Sequence, residues 1–514
     1  MWNEGYVSEI DYTYGFYREL GPQHIRFALA AAGVEPPPID AFNYCELGFG
    51  QGLGANIIAA ANSQGSFWGT DFNPRHAITA RQLAGLGGLK NTHWFDDSFE
   101  EFLARDLPEM DYVVLHGIHS WISAEHRAQV IRFLRQKMKL GGVVYVSYNT
   151  LPGWAPAIPL QALLSQYVDW NTLPGDSLSS RLDAAIKFAG ELAALPTGYF
   201  NVYPQVTERL KGLDKQNRNY LAHEYLNRHW DPVFFSQMAA EMEGAKLSFA
   251  AHANPLNVID SINHTAELQK ILDGIRHPVL RETVRDMAVN QTFRKDLFVR
   301  GPRRLGLRGQ ARILSEQPIA LITERQRCAL KVSTLVGASE LRPEVYEPLL
   351  DRLAERPTSA AELISAQPFA GFGLPRLLQA IIVLVGAGYA HPCMPEESRK
   401  AAQRSCASLN GEILKRTMES PTSELGFLAS PRIGSGVGVD RLQQLFLYAL
   451  KTRLKASASE VAQVVWQNLA SHNLRMTRDG QTLQAEADNL AEIERRFNDW
   501  SGTRAMLQQL DIGG

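Results

Sequence analysis

The sequence predicts an α/β fold: a Rossmann-like, doubly wound parallel sheet with a helical insertion, followed by a winged-helix-like domain and an α+β C-terminal domain. Three observations lead there. Strand and helix signals alternate with short connections as far as Tyr148, the pattern of a parallel sheet covered on both faces. An apolar strand runs straight into Gly48, Gly50, Gly52 and Gly54 ahead of a helix. Beyond Tyr148 the pattern turns helical before strand signals resume near Leu247.

The candidate strands are Phe42–Leu47, Ser66–Asp71, Thr92–Phe95, Tyr112–His116 and Val143–Tyr148. Between the last two, Ser123 can cap a helix whose Val130, Ile131, Leu134 and Met138 share one face, with Gly141-Gly142 as its stop. A sheet of this kind binds ligands at the carboxyl ends of its strands, where every motif discussed below falls. The helical insertion covers about 156–228, with breaks at Pro174-Gly175 and Pro196-Thr197-Gly198. Phe234–Met242 then leads through Gly244 to Leu247-Ser248-Phe249, and Phe293–Arg300 completes the sheet.

Gly301-Pro302-Arg303-Arg304 marks a boundary near 305, closing a first domain over 1–305. The cluster Arg300, Arg303, Arg304 and Arg308 could hold phosphate, but a solvated linker is the better reading. Over 306–398, Ser359 and Glu362 fit a capping box, and an apolar helix from Leu374 to Val385 stops at Gly386 and Gly388. Helices ending in a short strand suggest a winged-helix-like unit. Between Leu374 and Pro392 its only Arg or Lys is Arg376, too little for reading DNA, so a packing or protein-contact module is expected. The last part, 399–514, has a helix near Glu460–Leu469, a hairpin signal at Asp479-Gly480 and a helix aligned by Leu490, Ile493, Phe497 and Trp500. It shows no catalytic constellation of its own, and deleting the C-terminal part is expected to leave cofactor binding largely intact, provided the core stays folded, while damaging transfer to a protein acceptor.

Composition sets the outer limits. A chain of 514 residues suggests about three domains. A formal net charge of −2 gives no general drive toward nucleic acid, so none is expected as a partner. Cys45, Cys328, Cys393 and Cys406 form no C-x-x-C pair, which points to reduced core cysteines rather than disulfides or zinc. His116 and His119 lack a carboxylate at matching spacing, so no metal site is expected. Met1-Trp2-Asn3-Glu4-Gly5 has neither a basic start nor an apolar run, and no stretch approaches the ~20 apolar residues needed to cross a bilayer. The expected location is the cytoplasm, without stable membrane insertion.

The loop Glu46-Leu47-Gly48-Phe49-Gly50-Gln51-Gly52-Leu53-Gly54 is built for a cofactor. Glycine admits positive φ and close backbone approach, and the following helix offers free N–H groups. From Gly50 the sequence also fits the looser G-x-G-x-x-A dinucleotide fingerprint, with Asp71 placed for a ribose hydroxyl, so a nicotinamide cofactor stays open on this loop alone. Two features favour S-adenosyl-L-methionine. Glu46 suits a cationic amino-acid tail better than a pyrophosphate, and Asp96, Asp97 and Ser98 follow the third strand, where an acid can accept from an adenine amino group.

Two further loops should open over the reactive end: His116-Gly117-Ile118-His119-Ser120-Trp121 and Ser147-Tyr148-Asn149-Thr150-Leu151-Pro152-Gly153-Trp154. With Asp111-Tyr112 ahead of the first, the pair resembles the HGxxSW and SYNTxPGW signatures of bacterial class I methyltransferases with a methyltransferase regulatory domain, a family that includes rickettsial-type protein-lysine methyltransferases. The resemblance runs nearly the full length. Ile10-Asp11-Tyr12-Thr13 with Pro22 resembles the family's N-terminal cap, and His223-Glu224-Tyr225-Leu226 with Pro232 its regulatory segment, about 220–305. Asn290-Gln291-Thr292-Phe293-Arg294, Ser430-Pro431 and Gly434–Gly438 resemble later family patterns. Phe49, where the family more often has a small residue or cysteine, and His119, where an aromatic is common, depart from it.

The resemblance implies transfer of a methyl group from S-adenosyl-L-methionine to protein lysines. Such an in-line displacement depends on alignment in a site that excludes water. A lysine acceptor must also be held neutral, against a reference pKa of about 10.4. Trp121, Trp154, Tyr12 and Tyr148 could form an aromatic mouth, with His116, Ser120 and Asn149 orienting the acceptor's lone pair. Each has a plainer reading: His116 as a hydrogen-bonded strand-end histidine, Trp154 as a turn anchor, Tyr12 and Tyr14 as cover for the sheet edge. A small-molecule N- or O-methyltransferase, or a regulatory protein that binds the cofactor without turnover, would share the same core. The auxiliary domains offer surface for a protein acceptor or for a homodimer.

Overall fold

A computed structural model describes residues 14–513 except 174, 197, 423, 424, 454 and 455, and describes Asn219 without its side chain. Tyr12, the rest of the expected N-terminal cap up to residue 13, and the break residues Pro174 and Thr197 lie outside the described residues.

Strands β1 Phe42–Leu47, β2 Gly65–Thr70, β3 Thr92–Phe95, β4 Met110–Leu115, β5 Met138–Asn149, β6 Ser248–His252 and β7 Phe293–Val299 form one sheet in the order β3-β2-β1-β4-β5-β7-β6. All neighbours are parallel except those of β7, which runs antiparallel to both β5 and β6. The central strands β1 and β4 are buried nearly throughout, as continuous apolar runs covered on both faces must be. From β1 the chain winds outward to β3 and then returns to β4 on the other side. This switch point opens a crevice above the carboxyl ends of β1 and β4.

Helices α1 Pro22–Ala31, α2 Leu53–Ala61, α3 Pro74–Leu86, α4 Phe99–Ala104 and α5 Ala124–Lys137 flank the sheet. Ser123 caps α5 by accepting from His126 N at 3.2 Å. The expected stop at Gly141-Gly142 is displaced. The helix ends at Lys137, and the glycine pair lies inside β5, where pairing with β4 shifts register between Met110 and Tyr112. Gly141 takes φ +79°, and a Cβ on Gly142 would stand 3.0 Å from the Met110 carbonyl, so the irregular register demands glycine.

The insertion comprises α6 Ile158–Asn171, α7 Leu178–Ala193, α8 Gly198–Val202, α9 Pro204–Leu213 and α10 Arg218–Tyr225, packed around a core of their own that includes Leu164, Leu182, Ile186, Leu210 and Leu221. Beyond the sheet, Ala390–Pro392 pairs antiparallel with Ile319–Leu321 after the apolar helix Leu374–Ala387. Three arginines of the basic cluster have local partners: Arg300 and Arg304 donate to backbone carbonyls of Met138 and Ala32, and Arg303 pairs with Glu35.

The C-terminal part shares its core with the sheet domain. Leu53, Ile57, Ala60 and Ala61 of α2 lie in one cluster with Cys406, Leu409 and Ile413 of the helix Glu396–Glu419. Ser405 Oγ and Cys406 Sγ both donate to the Ala60 carbonyl, at 2.6 and 3.4 Å. The four cysteines are buried and unpaired. Among the described residues no helix is long and apolar enough to cross a membrane.

Candidate active site

The glycine loop after β1 divides its glycines by task. Gly48 and Gly52 take φ +77° and +75°, and a Cβ on either would meet Ile118 at 2.3 Å or Ala80 at 2.4 Å. They let the loop fold against the protein. Gly50, at φ +57°, has nothing among the described residues within 4 Å of its Cβ position and leaves the cleft wall bare for a ligand. Gly52 leads into α2 with no side-chain cap, so the first N–H groups of that helix remain for a ligand. Gly54 also lines the cleft.

Two acids stand at the strand tips. Glu46 is 6% exposed and its Oε2 has no partner among the described residues; burial, then the nearby Asp71 carboxylate, pushes its pKa up to about 8. Both oxygens of Asp71 are held, with acceptor capacity left on Oδ2: Oδ2 accepts from Gly50 N at 2.8 Å, and Oδ1 accepts from Asn73 N at 3.1 Å and faces His76 Nδ1 at 3.0 Å. The expected adenine acids part company. Asp97 and Ser98 line the cleft, with Asp97 held by Arg105 and Ser98 capping α4 in a capping box with Glu101. Asp96 turns outward to Arg81 at 2.9 Å, because the alternation of side chains past β3 sends it to the solvent face.

His116 and Trp121 line the same cleft. His116 Nδ1 faces Tyr145 Oη at 2.9 Å and Ser147 Oγ at 3.2 Å, and the Tyr17 ring lies 3.6 Å from its own. Burial, then the Lys295 ammonium, lowers its pKa to about 3, so the ring is a neutral imidazole. Trp121 is 6.2 Å from Trp230, which meets Trp154 edge-on at 5.1 Å, with the Arg209 guanidinium 4.0 Å over the Trp154 ring.

Ser120 and Tyr148, expected to touch the acceptor, stand behind the cleft wall. Ser120 Oγ accepts from Asn149 N at 2.9 Å and Tyr148 Oη donates to Asp296 at 2.7 Å, both in the interior. Asn149 is 5% exposed, pairs through its backbone with Val233, and lies on the Ser147 face of β5, its Nδ2 without a partner among the described residues. Strand alternation again decides: Ser147 faces His116, so Tyr148 points to the opposite side.

Several cleft residues carried no signal in the sequence. Gly15 and Tyr17 reach the cleft from the chain's N-terminal side, beside Tyr14, which the sequence offered as cover for the sheet edge, and His76, His126 and His229 arrive from α3, α5 and the segment after the insertion. Glu224 on α10 was visible only as part of a family pattern. Burial raises its carboxyl to about 7 against the Arg209 charge, in contact with Tyr220.

These residues fit S-adenosyl-L-methionine. The bare face of Gly50 and the uncapped start of α2 admit a ligand to the backbone, and the unpartnered Glu46 oxygen is the complement of an ammonium.

Comparisons with known proteins agree. A model described as a methyltransferase domain matches residues 45–144, and one described as a predicted methyltransferase regulatory domain matches residues 217–300. The uncharacterized protein sll1526 of Synechocystis sp. is 40% identical over 507 residues, 98% of each chain. The uncharacterized protein RP789 of Rickettsia prowazekii is 25% identical over 302 residues, 56% of this chain and 52% of that one. PKMT2 from Rickettsia typhi, solved in complex with AdoHcy, shares the fold at a TM-score of 0.68 and 15% identity, covering 97% of this chain and 99% of its own. The chain therefore belongs to the class I S-adenosylmethionine-dependent methyltransferases that carry a methyltransferase regulatory domain, resembling the rickettsial type.

Proposed function

We propose that this methyltransferase modifies lysine side chains of proteins. The observation that carries the reading is the line of tryptophans leaving the cofactor cleft: Trp121 in its wall, then Trp230, then Trp154 beneath Arg209 of the insertion. Such a mouth strips water from a long cationic side chain and tolerates its charge through the ring faces. The earlier resemblance of the two loops to protein-lysine methyltransferases supports the same acceptor.

When bound, S-adenosyl-L-methionine supplies an electrophilic methyl group on a sulfonium. The residues of this chain contribute binding and alignment. Glu46 takes the cofactor's ammonium, Asp71 fixes the glycine loop and keeps lone pairs for the ribose, and Asp97 with Ser98 borders the adenine end. His116, neutral and clamped by Tyr145 and Ser147, accepts or donates one hydrogen bond without adding positive charge beside a sulfonium. Ser120, accepting from the Asn149 backbone N–H, and Tyr148 hold the two loops in place from behind. The winged-helix-like and C-terminal parts present the protein acceptor.

The test is incubation of purified full-length enzyme with lysate proteins and isotopically methyl-labelled cofactor, then acid hydrolysis of the proteins. Label in methylated lysines is expected. Label confined to small metabolites, or found on other side chains, would replace this reading with the small-molecule one.

A further inference from the structure

The 3₁₀ turn Arg18–Leu20 and the residue before it, Tyr17, supply part of the wall of the cofactor cleft. Tyr17 and Leu20 line the cleft, and the Tyr17 ring lies 3.6 Å from the His116 imidazole. On its other side the turn borders a second cavity of about 250 Å³, whose lining includes Glu19, Phe293 and Lys295. A wall with space behind it can back away from the cleft, so its position depends on what ties it down.

One tie is an ion pair. Lys295 Nζ donates to Glu19 Oε1 at 2.8 Å, and the two side chains are 30% and 15% exposed. Burial opposes ionisation of Glu19, but the Lys295 ammonium, then His24, holds its carboxyl down at about 2, so it is a carboxylate at neutral pH. The pair is anchored in the sheet beneath the site. Lys295 of β7 stands opposite Ser147 of β5, so both project from one face, and Ser147 Oγ lies 3.2 Å from His116 Nδ1. Phe293, two residues away on the same face of β7, meets the His116 ring edge-on at 6.3 Å. The same two strands thus hold His116 directly and, through Glu19, hold the tyrosine that covers it. Arg18 adds a looser tie in another direction, its Nη2 donating to the Gly386 carbonyl at 3.5 Å. Glu19 also answers the Lys295 ammonium, whose field reaches His116, and so spares a bound sulfonium a like charge.

We propose that Glu19 is a positioning residue for methyl transfer, its ion pair with Lys295 holding the Tyr17 ring against His116 at the reactive end of the cleft. The assignment rests on the placement of His116 beside the sulfonium and is independent of which acceptor the enzyme methylates.

The test is a double-variant cycle between Glu19→Gln and Tyr17→Leu in the full-length protein, read in two ways. The first is NMR of protein carrying carbon-13-labelled histidine, bound to AdoHcy, with the His116 signal identified by its loss in His116→Gln. Removing the Tyr17 ring displaces that signal; Glu19→Gln should displace it in the same direction, and the double variant no further than Tyr17→Leu. The second is the initial rate of methyl-label transfer, at saturating cofactor, into whichever lysate fraction accepts it. Glu19→Gln should lower this rate at least about fivefold with AdoHcy affinity within about threefold of wild type, and the double variant should fall within about twofold of Tyr17→Leu. Lys295→Met should lower the rate likewise, whereas Lys295→Arg, which keeps the charge, should retain it. An unmoved His116 signal in Glu19→Gln, or losses that multiply in the double variant, would overturn the assignment. If Glu19→Gln does not fold, Lys295→Met takes its place in the cycle. Wild-type turnover in His116→Gln would instead remove His116 from the reactive end, and this assignment with it.

Discussion

The backbone N–H of Gly50 donates to Asp71 Oδ2 at 2.8 Å, so the tip of the second strand holds the cofactor loop of the first. One carboxylate thereby anchors the loop that lines the cleft.

Asp71→Ala should therefore cost more than a ribose contact. Loss of a charge-assisted acceptor is worth about 1.5–3 kcal/mol, and the loop loses its anchor as well. AdoHcy affinity measured by calorimetry should fall by about tenfold to a hundredfold. A change below about twofold would place the ribose elsewhere.

Cofactor binding should depend on Glu46. In the free enzyme its pKa, raised to about 8 by burial and by Asp71, leaves the carboxyl protonated at neutral pH. A bound ammonium favours the carboxylate, so binding releases a proton, is strongest above about pH 8 and weakens as pH falls. AdoHcy should bind on the order of tenfold more weakly at pH 6.5 than at pH 8, with proton release seen by calorimetry in buffers of different ionisation enthalpy. Glu46→Gln should flatten this profile. For stability the sign is opposite: the raised pKa favours the ligand-free fold at low pH, and that contribution is lost as pH rises toward about 8.

Trp121 and Ser120 adjoin in sequence but should fail differently. Trp121→Ala removes a cleft wall, and turnover on a confirmed acceptor should fall at least about tenfold, on the order of 1.4 kcal/mol in the barrier, with AdoHcy affinity changing less. Ser120→Ala removes only the acceptor for Asn149 N, so Ser120→Thr should restore activity lost in the alanine variant if the oxygen supports the loop. Equal, full activity of both alanine variants would remove this loop from the site.

Truncation after residue 398 should disable cofactor binding. It would expose Leu53, Ile57 and Ala60 of α2, all within 1% of complete burial, beneath the glycine loop. Each large side chain so uncovered loses about 1.5–3 kcal/mol. Thermal unfolding and AdoHcy titration of residues 1–398 check this against the expectation from sequence that the cofactor site would survive. A truncated protein with full-length melting temperature and affinity would contradict the shared core.

The sequence by itself determined the sheet and the glycine loop, because both rest on local rules. Parallel strands covered on both faces read as near-continuous apolar runs, and a tight turn against a cofactor must use glycine; hence β1 lies where its residues predict, and Gly48, Gly50 and Gly52 all take positive φ. What only the tertiary structure decided was direction and partnership. The side-chain alternation that sends Asp96 to Arg81 and Tyr148 to Asp296, while leaving His116 in the cleft, depends on local pleat and register that motif spacing does not carry. Gly141-Gly142 reads as a helix stop until its pairing with β4 makes it a strand irregularity. Likewise, α2 needs a surface to bury its outer apolar face, but only long-range packing reveals that the helix Glu396–Glu419 supplies it.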